Sequence, residues 1–209
     1  VNDVCWTNTD DDYFVAAHDN SPYISIYAGS NRNKQSNPAT LPPGQALAVA
    51  FSPADDYLAV GSSSSPYLTV YSRSGGTFTA LTPDVAPTAT VSELAWSPDG
   101  KNLVVNQGIN TAATLKVYYV SGSTVKQIAS PGTVPALGAD GGIFTMDFNT
   151  SGNVMAIAWS GNLSNTSDTR KFNVYHVSGN TYTYGNLTYS TGLGSAEAVY
   201  DIRWGGGDS

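Results

Sequence analysis

Short stretches of alternating apolar and polar residues recur along the chain, and this period of two predicts strands rather than helices. Four segments align with one another: VCWTNTDDDYFVAA from Val4, VAFSPADDYLAVG from Val49, LAWSPDGKNLVVN from Leu94 and MDFNTSGNVMAIA from Met146. A fifth, partial copy, DIRWGGGDS, begins at Asp201. No segment has the period of an amphipathic helix. The repetition predicts one structural unit that is built several times.

Each unit begins with an aromatic anchor and carries a second signature, a later strand of alternating residues that ends in a tyrosine. The anchors are Trp6, Phe51, Trp96, Phe148 and Trp204, at intervals of 45, 45, 52 and 56 residues, and the tyrosines are Tyr27, Tyr71, Tyr118 and Tyr175. In an ungapped alignment, the positions seven and nine residues after each complete anchor are Tyr13 and Val15, Leu58 and Val60, Leu103 and Val105, and Met155 and Ile157. Between the first two strands lie turn residues, because Gly, Asn and Asp tolerate the positive φ of a tight hairpin; they are Asp55-Asp56, Asp99-Gly100 and Ser151-Gly152.

A weaker fourth strand follows in each unit, for instance at residues 77–81 and 124–128. Four short strands in each unit of roughly 45–55 residues predict an all-β fold, a β-propeller of four four-stranded blades with a partial fifth. The predicted blades are residues 1–44, 45–89, 90–140 and 141–196, with a closing or partial strand in 197–209, all in one domain. A blade must stack on its neighbours to bury both faces, so the anchors, the tyrosines and the Val/Ile positions are expected to form the apolar layers between blades.

The units resemble WD40-type repeats. The stretches Phe51-Ser-Pro and Trp96-Ser-Pro-Asp-Gly also look like the related TolB-type propeller repeat. Tyr27, Tyr71, Tyr118 and Tyr175 stand where the WD40 pattern has its Trp, and the Asp that follows it there is replaced by Ala28, Ser72, Tyr119 and His176. The resemblance covers nearly the whole chain and implies a propeller that serves as a scaffold for interactions.

Four blades are fewer than most propellers contain, and an unclosed arc leaves two blade faces exposed. Three arrangements are open: a portion of a larger propeller, closure with other copies, or a four-bladed ring that the strand at 200–204 completes. The start at Val1 and the ending Gly-Gly-Gly-Asp-Ser favour a portion of a larger propeller.

Charge and composition narrow the classes of function. The 209 residues include 9 Lys and Arg against 16 Asp and Glu, a net charge of -7, and 12% are charged, about half the share in ordinary domains. Such a chain is a poor partner for nucleic acid and for anionic membranes. The single cysteine, Cys5, excludes an internal disulfide and a multi-cysteine zinc site, and we predict no metal and no cofactor.

Candidate chemical groups all favour structural roles. Asp10, Asp11 and Asp12 align with the hairpin turns of the other units, which favours a solvated turn over a calcium site. His18 and His176 have no metal-ligand spacing around them, and Cys5, beside Trp6 in a strand, is expected to be a small core residue. No G-x-S-x-G motif or phosphate loop is present, so we expect no catalytic residues and no enzyme activity.

The longer loops suggest where a ligand binds. The insertions at 129–143, 159–170 and 186–198 all lie in loops expected on one face of a propeller, and loops on a rigid scaffold carry function. Trp159, Asn162 and Arg170 are the candidate binding residues there, because an aromatic ring with amide and guanidinium groups suits sugars. Asn-x-Ser/Thr sequons at Asn149, Asn162, Asn165 and Asn186 are attributed to chance in a chain rich in these residues.

The leading hypothesis is a non-enzymatic structural and protein-interaction module of a virion, because few charges and abundant Ser, Thr, Gly and Asn look like bacteriophage structural proteins. Its partners would be virion proteins or copies of itself. The alternative is an extracellular or periplasmic propeller that binds carbohydrate, such as surface glycans, or protein. A second alternative is a fragment of a propeller hydrolase.

Overall fold

The structure, a computed structural model, describes residues 1–9, 12–108, 114–129, 131, 143–159, 172–185, 199 and 201–204. All regular elements of this described part are strands, so the fold is all-β as predicted. The strands are β1 (Asp3–Trp6), β2 (Tyr13–Ala17), β3 (Ile24–Ala28), β4 (Ala46–Phe51), β5 (Tyr57–Ser62), β6 (Leu68–Ser74), β7 (Thr77–Leu81), β8 (Val91–Trp96), β9 (Asn102–Gln107), β10 (Thr114–Ser121), β11 (Thr124–Ala129), β12 (Ile143–Phe148), β13 (Val154–Trp159), β14 (Phe172–Ser178) and β15 (Thr181–Gly185).

These strands form four antiparallel sheets in which each strand pairs with the next in sequence. Sheet 1 is β1-β2-β3, sheet 2 is β4 to β7, sheet 3 is β8 to β11 and sheet 4 is β12 to β15. The fourth strand of sheet 1 is reduced to an isolated bridge between Tyr27 and Lys34. The chain is therefore organised as successive propeller blades.

A polar residue directly after each anchor closes the first hairpin of its sheet. In sheets 2 and 3 the side-chain oxygens of Ser52 and Ser97 accept a hydrogen bond from the N–H of the residue that begins the next strand, at 3.0 and 2.9 Å. Asn149 makes the same contact at 2.9 Å in sheet 4, and Thr7 makes it at 3.2 Å in sheet 1. A buried turn end thus keeps its backbone donor paired.

The first hairpin contains one residue more than the ungapped alignment predicts. Phe51 pairs directly with Leu58, whereas Trp6 pairs with Phe14 rather than with Tyr13. Phe14 therefore takes the position predicted for Tyr13, and the assignment of Tyr13 and Val15 to the repeat positions was wrong. An extra residue in the turn reverses which side chains share a face, because neighbouring strand residues point to opposite faces.

The sheets stack face to face in chain order, and each inner strand contacts the next: β1 with β4, β4 with β8, and β8 with β12. We call the face that carries the anchor the front of a sheet and the opposite face its rear. Phe51, Trp96 and Phe148 each lie in an apolar cluster between the front of their own sheet and the rear of the preceding one. Tyr71, Tyr118 and Tyr175 are fully buried in the same layers.

Trp6 departs from this arrangement. Its side chain is 51% exposed, against 6% for Phe51 and 9% for Trp96. The expectation that every anchor lies between blades was wrong for Trp6, because no sheet in the described part of the chain covers the front of sheet 1.

Candidate functional site

The front of sheet 1 carries an apolar surface that the described residues leave uncovered. Val4 and Trp6 are 56% and 51% exposed, and Phe14 and Tyr27 beside them are half-buried. We call these four residues the open face. They lie together because β1, β2 and β3 are paired in the register Trp6 to Phe14 to Tyr27.

The three aromatic rings of the open face form a ladder across the sheet. Phe14 stacks on Tyr27 with centroids 4.7 Å apart and planes inclined by 8°, and Trp6 tilts over Phe14 at 4.9 Å. Cross-strand aromatic pairs hold one another in place. The ladder is thus a fixed surface.

Trp96, the anchor of sheet 3, shows how the front of a sheet contacts the preceding sheet within the chain. The Trp96 indole N–H donates to the carbonyl oxygen of Ala50, on the preceding sheet, at 3.2 Å, and its ring stacks on Tyr57 at 6.0 Å. Trp6 has no corresponding acceptor among the described residues. The open face therefore has the side chains of an inter-blade contact, but none of the sheets in the described part of the chain packs against it.

The segment 201–204 repeats the contact of Trp96 at the other end of the stack. The Trp204 indole N–H donates to the carbonyl oxygen of Asp147 at 3.2 Å, and its backbone N–H donates to the Asp147 carboxylate at 2.9 Å. Asp147 precedes the anchor Phe148 as Ala50 precedes Phe51. Trp204 thus makes with sheet 4 the contact that Trp96 makes with sheet 2, and its side chain is 37% exposed.

The inner strands of all four sheets and the segment 201–204 surround a central cavity of about 820 Å³. Its charged lining residues are Asp3, Glu93, Asp147, Asp201 and Arg203. Asp3 accepts a hydrogen bond from the Val49 N–H at 2.9 Å, and Arg203 forms an ion pair with Asp201 at 2.7 Å. The first of these bonds links one blade to the next.

The pKa values of two carboxyl groups in the cavity are raised. Burial raises the pKa of Glu93 to about 8, and the negative charge of Asp3 adds to the rise, while a hydrogen bond from the Met146 N–H opposes it. Burial also raises the pKa of Asp3 above its ordinary value, against hydrogen bonds from the Val49 and Val4 N–H groups. A pKa near 8 leaves Glu93 largely uncharged at neutral pH, which limits the repulsion in the cavity.

Other groups that the sequence singled out have structural partners. The His18 Nε2 lies 3.1 Å from the Oγ of Ser25, a buried hydroxyl, and within the described part of the chain no carboxylate orients the ring as in a catalytic triad. His176 is exposed in β14. Cys5 is half-buried against the cluster between sheets 1 and 2, and burial raises the pKa of its thiol. Asp12 pairs with Arg73 at 3.7 Å.

The predicted binding loops fall largely outside the described residues. Asn162 and Arg170 lie outside them, as do Asp10 and Asp11, and of Trp159 only the backbone is described, at the end of β13. Asn149 is a buried side chain, and its Nδ2 donates to Ser151 and Asn153 at 3.0 and 2.7 Å. This amide is therefore occupied within the turn.

Sequence reasoning missed the open face as a surface. Its residues were recognised as repeat positions, but exposure depends on whether another sheet packs on them. The signal that was available is aromatic density: Phe14 and Tyr27 accompany Trp6, where sheets 2 and 3 combine one anchor and one tyrosine with Leu58 or Leu103.

Comparison with known proteins bears on the fold alone. No protein-family model and no curated protein matches the chain. Among solved structures, hydrazine synthase of Kuenenia stuttgartiensis is similar, with a TM-score of 0.67 and 13% sequence identity over 86% of this chain and 46% of that one. The chain thus spans less than half the length of the hydrazine synthase chain. Its described residues include no helix long and apolar enough to cross a membrane, and no group of three or more His, Cys, Asp or Glu placed to hold a metal ion.

Proposed function

We propose that this chain is a non-enzymatic, WD40-like interaction module that binds other protein chains through the open face. The observation that carries the proposal is the exposure of Trp6, in a position where Phe51, Trp96 and Phe148 are buried against a neighbouring sheet. A contiguous apolar patch on a protein surface is typical of an interaction site, because a partner that covers it removes apolar area from water.

The geometry of the ladder supports binding of protein. Tryptophan and tyrosine carry a large share of the energy of protein interfaces. The stacking of Phe14 on Tyr27 holds the rings before any partner arrives, so little side-chain entropy is lost on binding. The indole N–H of Trp6, which has no acceptor among the described residues, adds a directional donor that fits a backbone carbonyl, as the contact from Trp96 to Ala50 illustrates.

We infer further that this chain and the protein chains that it binds belong to one assembly, a virus particle. The support is compositional: a charged fraction of 12% together with abundant Ser, Thr, Gly and Asn. The partners would then be virion proteins or further copies of this chain.

A pair of variants tests the proposal in the native assembly. Trp6→Asp places a charge in the open face, whereas Val85→Asp alters a residue of equal exposure, 51%, away from it. Both variants should unfold cooperatively like the wild type, since neither side chain is buried. Quantitative mass spectrometry of the purified assembly should find Val85→Asp incorporated and Trp6→Asp lost. Equal incorporation of the two variants would count against the open face as the binding surface.

A further inference from the structure

The segment 201–204 and β1 carry the same sequence pattern. Asp201-Ile202-Arg203-Trp204 matches Asp3-Val4-Cys5-Trp6 in its acid, its branched aliphatic residue and its tryptophan. In β1, Cys5 packs to the rear against the cluster between sheets 1 and 2, whereas Val4 and Trp6 are exposed on the front. In the segment 201–204, Trp204 occupies the place of Trp6 and contacts a neighbouring sheet through Asp147.

The rear of sheet 4 binds this pattern within the chain. Trp204 donates two hydrogen bonds to Asp147, and the Thr145 hydroxyl donates to the Asp201 carboxylate at 3.3 Å. Asp147 pairs across β12 and β13 with Ala156, as Ala50 pairs across β4 and β5 with Ala59. Because Ala59 belongs to the cluster that receives Trp96, sheet 4 has the corresponding small side chain at the corresponding place.

We propose that the open face of one copy of this chain packs on the rear of sheet 4 of a second copy, with Trp6 in the place that Trp204 occupies within the chain. This inference rests on the proposed function, since it names the partner of the same surface. It extends to a second copy the series of front-to-rear contacts that joins sheets 1 to 4. The indole N–H of Trp6 then donates to the carbonyl oxygen of Asp147 of the other copy.

The segment 201–204 is an internal competitor in this arrangement. Asp201, Arg203 and Trp204 contact the surface on sheet 4 that the second copy needs, and Trp204 remains partly exposed. The described residues of this segment bring one aromatic ring to sheet 4, that of Trp204, whereas the open face brings three, so sheet 1 of a second copy replaces the segment with a net gain in apolar burial. The contact is heterologous, and copies therefore join head to tail in a closed ring or an open chain.

Sedimentation velocity of the 209-residue chain over a range of concentrations tests the proposal. The wild type should self-associate. Trp6→Asp should weaken association about tenfold or more, as expected for a central tryptophan. Trp204→Ser should strengthen association, because it weakens the internal competitor. Val85→Asp, as exposed as Trp6, should leave association unchanged.

The opposite signs of the two tryptophan variants distinguish this contact from others. A head-to-head contact between two open faces is weakened by Trp6→Asp and unaffected by Trp204→Ser. Observing this pair of results overturns the proposal. A wild type and a Trp204→Ser variant that both stay monomeric at the highest soluble concentration overturn it as well. If Trp6→Asp is nevertheless lost from the native assembly, the open face still binds protein and only the identity of the partner was wrong.

Discussion

At the scale of single residues, one buried aspartate joins the first two blades. Asp55 is 2% exposed and has a φ of 61°, at a turn position that is Gly100 in sheet 3 and Gly152 in sheet 4. Its carboxylate accepts four hydrogen bonds, from the backbone and side chains of Asn8 and Thr9, at 2.6 to 3.1 Å. The sequence identified this residue as part of a turn. It could not reveal the bonds, because their donors, Asn8 and Thr9, lie 47 and 46 residues earlier in the chain and meet Asp55 only when sheets 1 and 2 stack.

Substitution of Asp55 separates backbone strain from hydrogen bonding. Asp55→Gly suits the positive φ but removes the acceptor of four hydrogen bonds between sheets 1 and 2, and we expect a loss of about 2 kcal/mol in the free energy of unfolding. Asp55→Ala should lose about 1 kcal/mol more, because alanine also strains the left-handed backbone. Urea unfolding of the two variants measures both losses. A neutral Asp55→Gly would mean that the four bonds contribute little.

Glu93 makes stability depend on pH. Its pKa rises from 4.5 in the unfolded chain to about 8 in the fold, chiefly through burial, with the charge of Asp3 adding to the rise. The folded state therefore holds a proton that the unfolded state has released, and stability falls as pH rises from about 4.5 to 8. Glu93→Gln should flatten this dependence. Urea midpoints measured across that window check it, and a Glu93→Gln profile parallel to that of the wild type would contradict the assignment.

At the scale of elements, a hairpin turn and the apolar layer between two blades contribute very different amounts to the free energy of unfolding. The repeated anchors and the strand alternation predicted most of the strands and their pairing, because a half-buried strand has a clear period of two. The exposure of Trp6 was not predictable in this way, since it depends on which sheet lies opposite and not on β1 itself.

Trp96 and Asp99 test this difference within one blade. Trp96→Ala removes a buried ring between sheets 2 and 3 and should lower the free energy of unfolding by roughly 3–5 kcal/mol. Asp99 is exposed, and it accepts hydrogen bonds from the Ser97 hydroxyl at 2.6 Å and the Lys101 N–H at 3.1 Å within its own turn. Asp99→Ala should cost about 1 kcal/mol. Denaturant unfolding compares the two, and equal losses would be incompatible with the repeat alignment.

At the scale of the whole molecule, the chain is a series of front-to-rear contacts with different ends. The front of sheet 1 is open and aromatic, whereas the rear of sheet 4 is covered in part by the segment 201–204. The repeated units and the all-β propeller fold could be predicted from the sequence. The central cavity could not be predicted, because its acidic lining comes from inner strands that are far apart in the chain.

The measurement that tests the central claim most directly is photo-cross-linking in the native assembly, from a benzophenone side chain placed at position 6 or at position 85. If the open face binds another protein chain, position 6 cross-links to that chain and position 85, equally exposed, does not. Mass spectrometry of the product then identifies the partner, and a link to sheet 4 of a second copy would agree with head-to-tail association. An assembly that contains the chain but yields no cross-link from position 6 would contradict the claim.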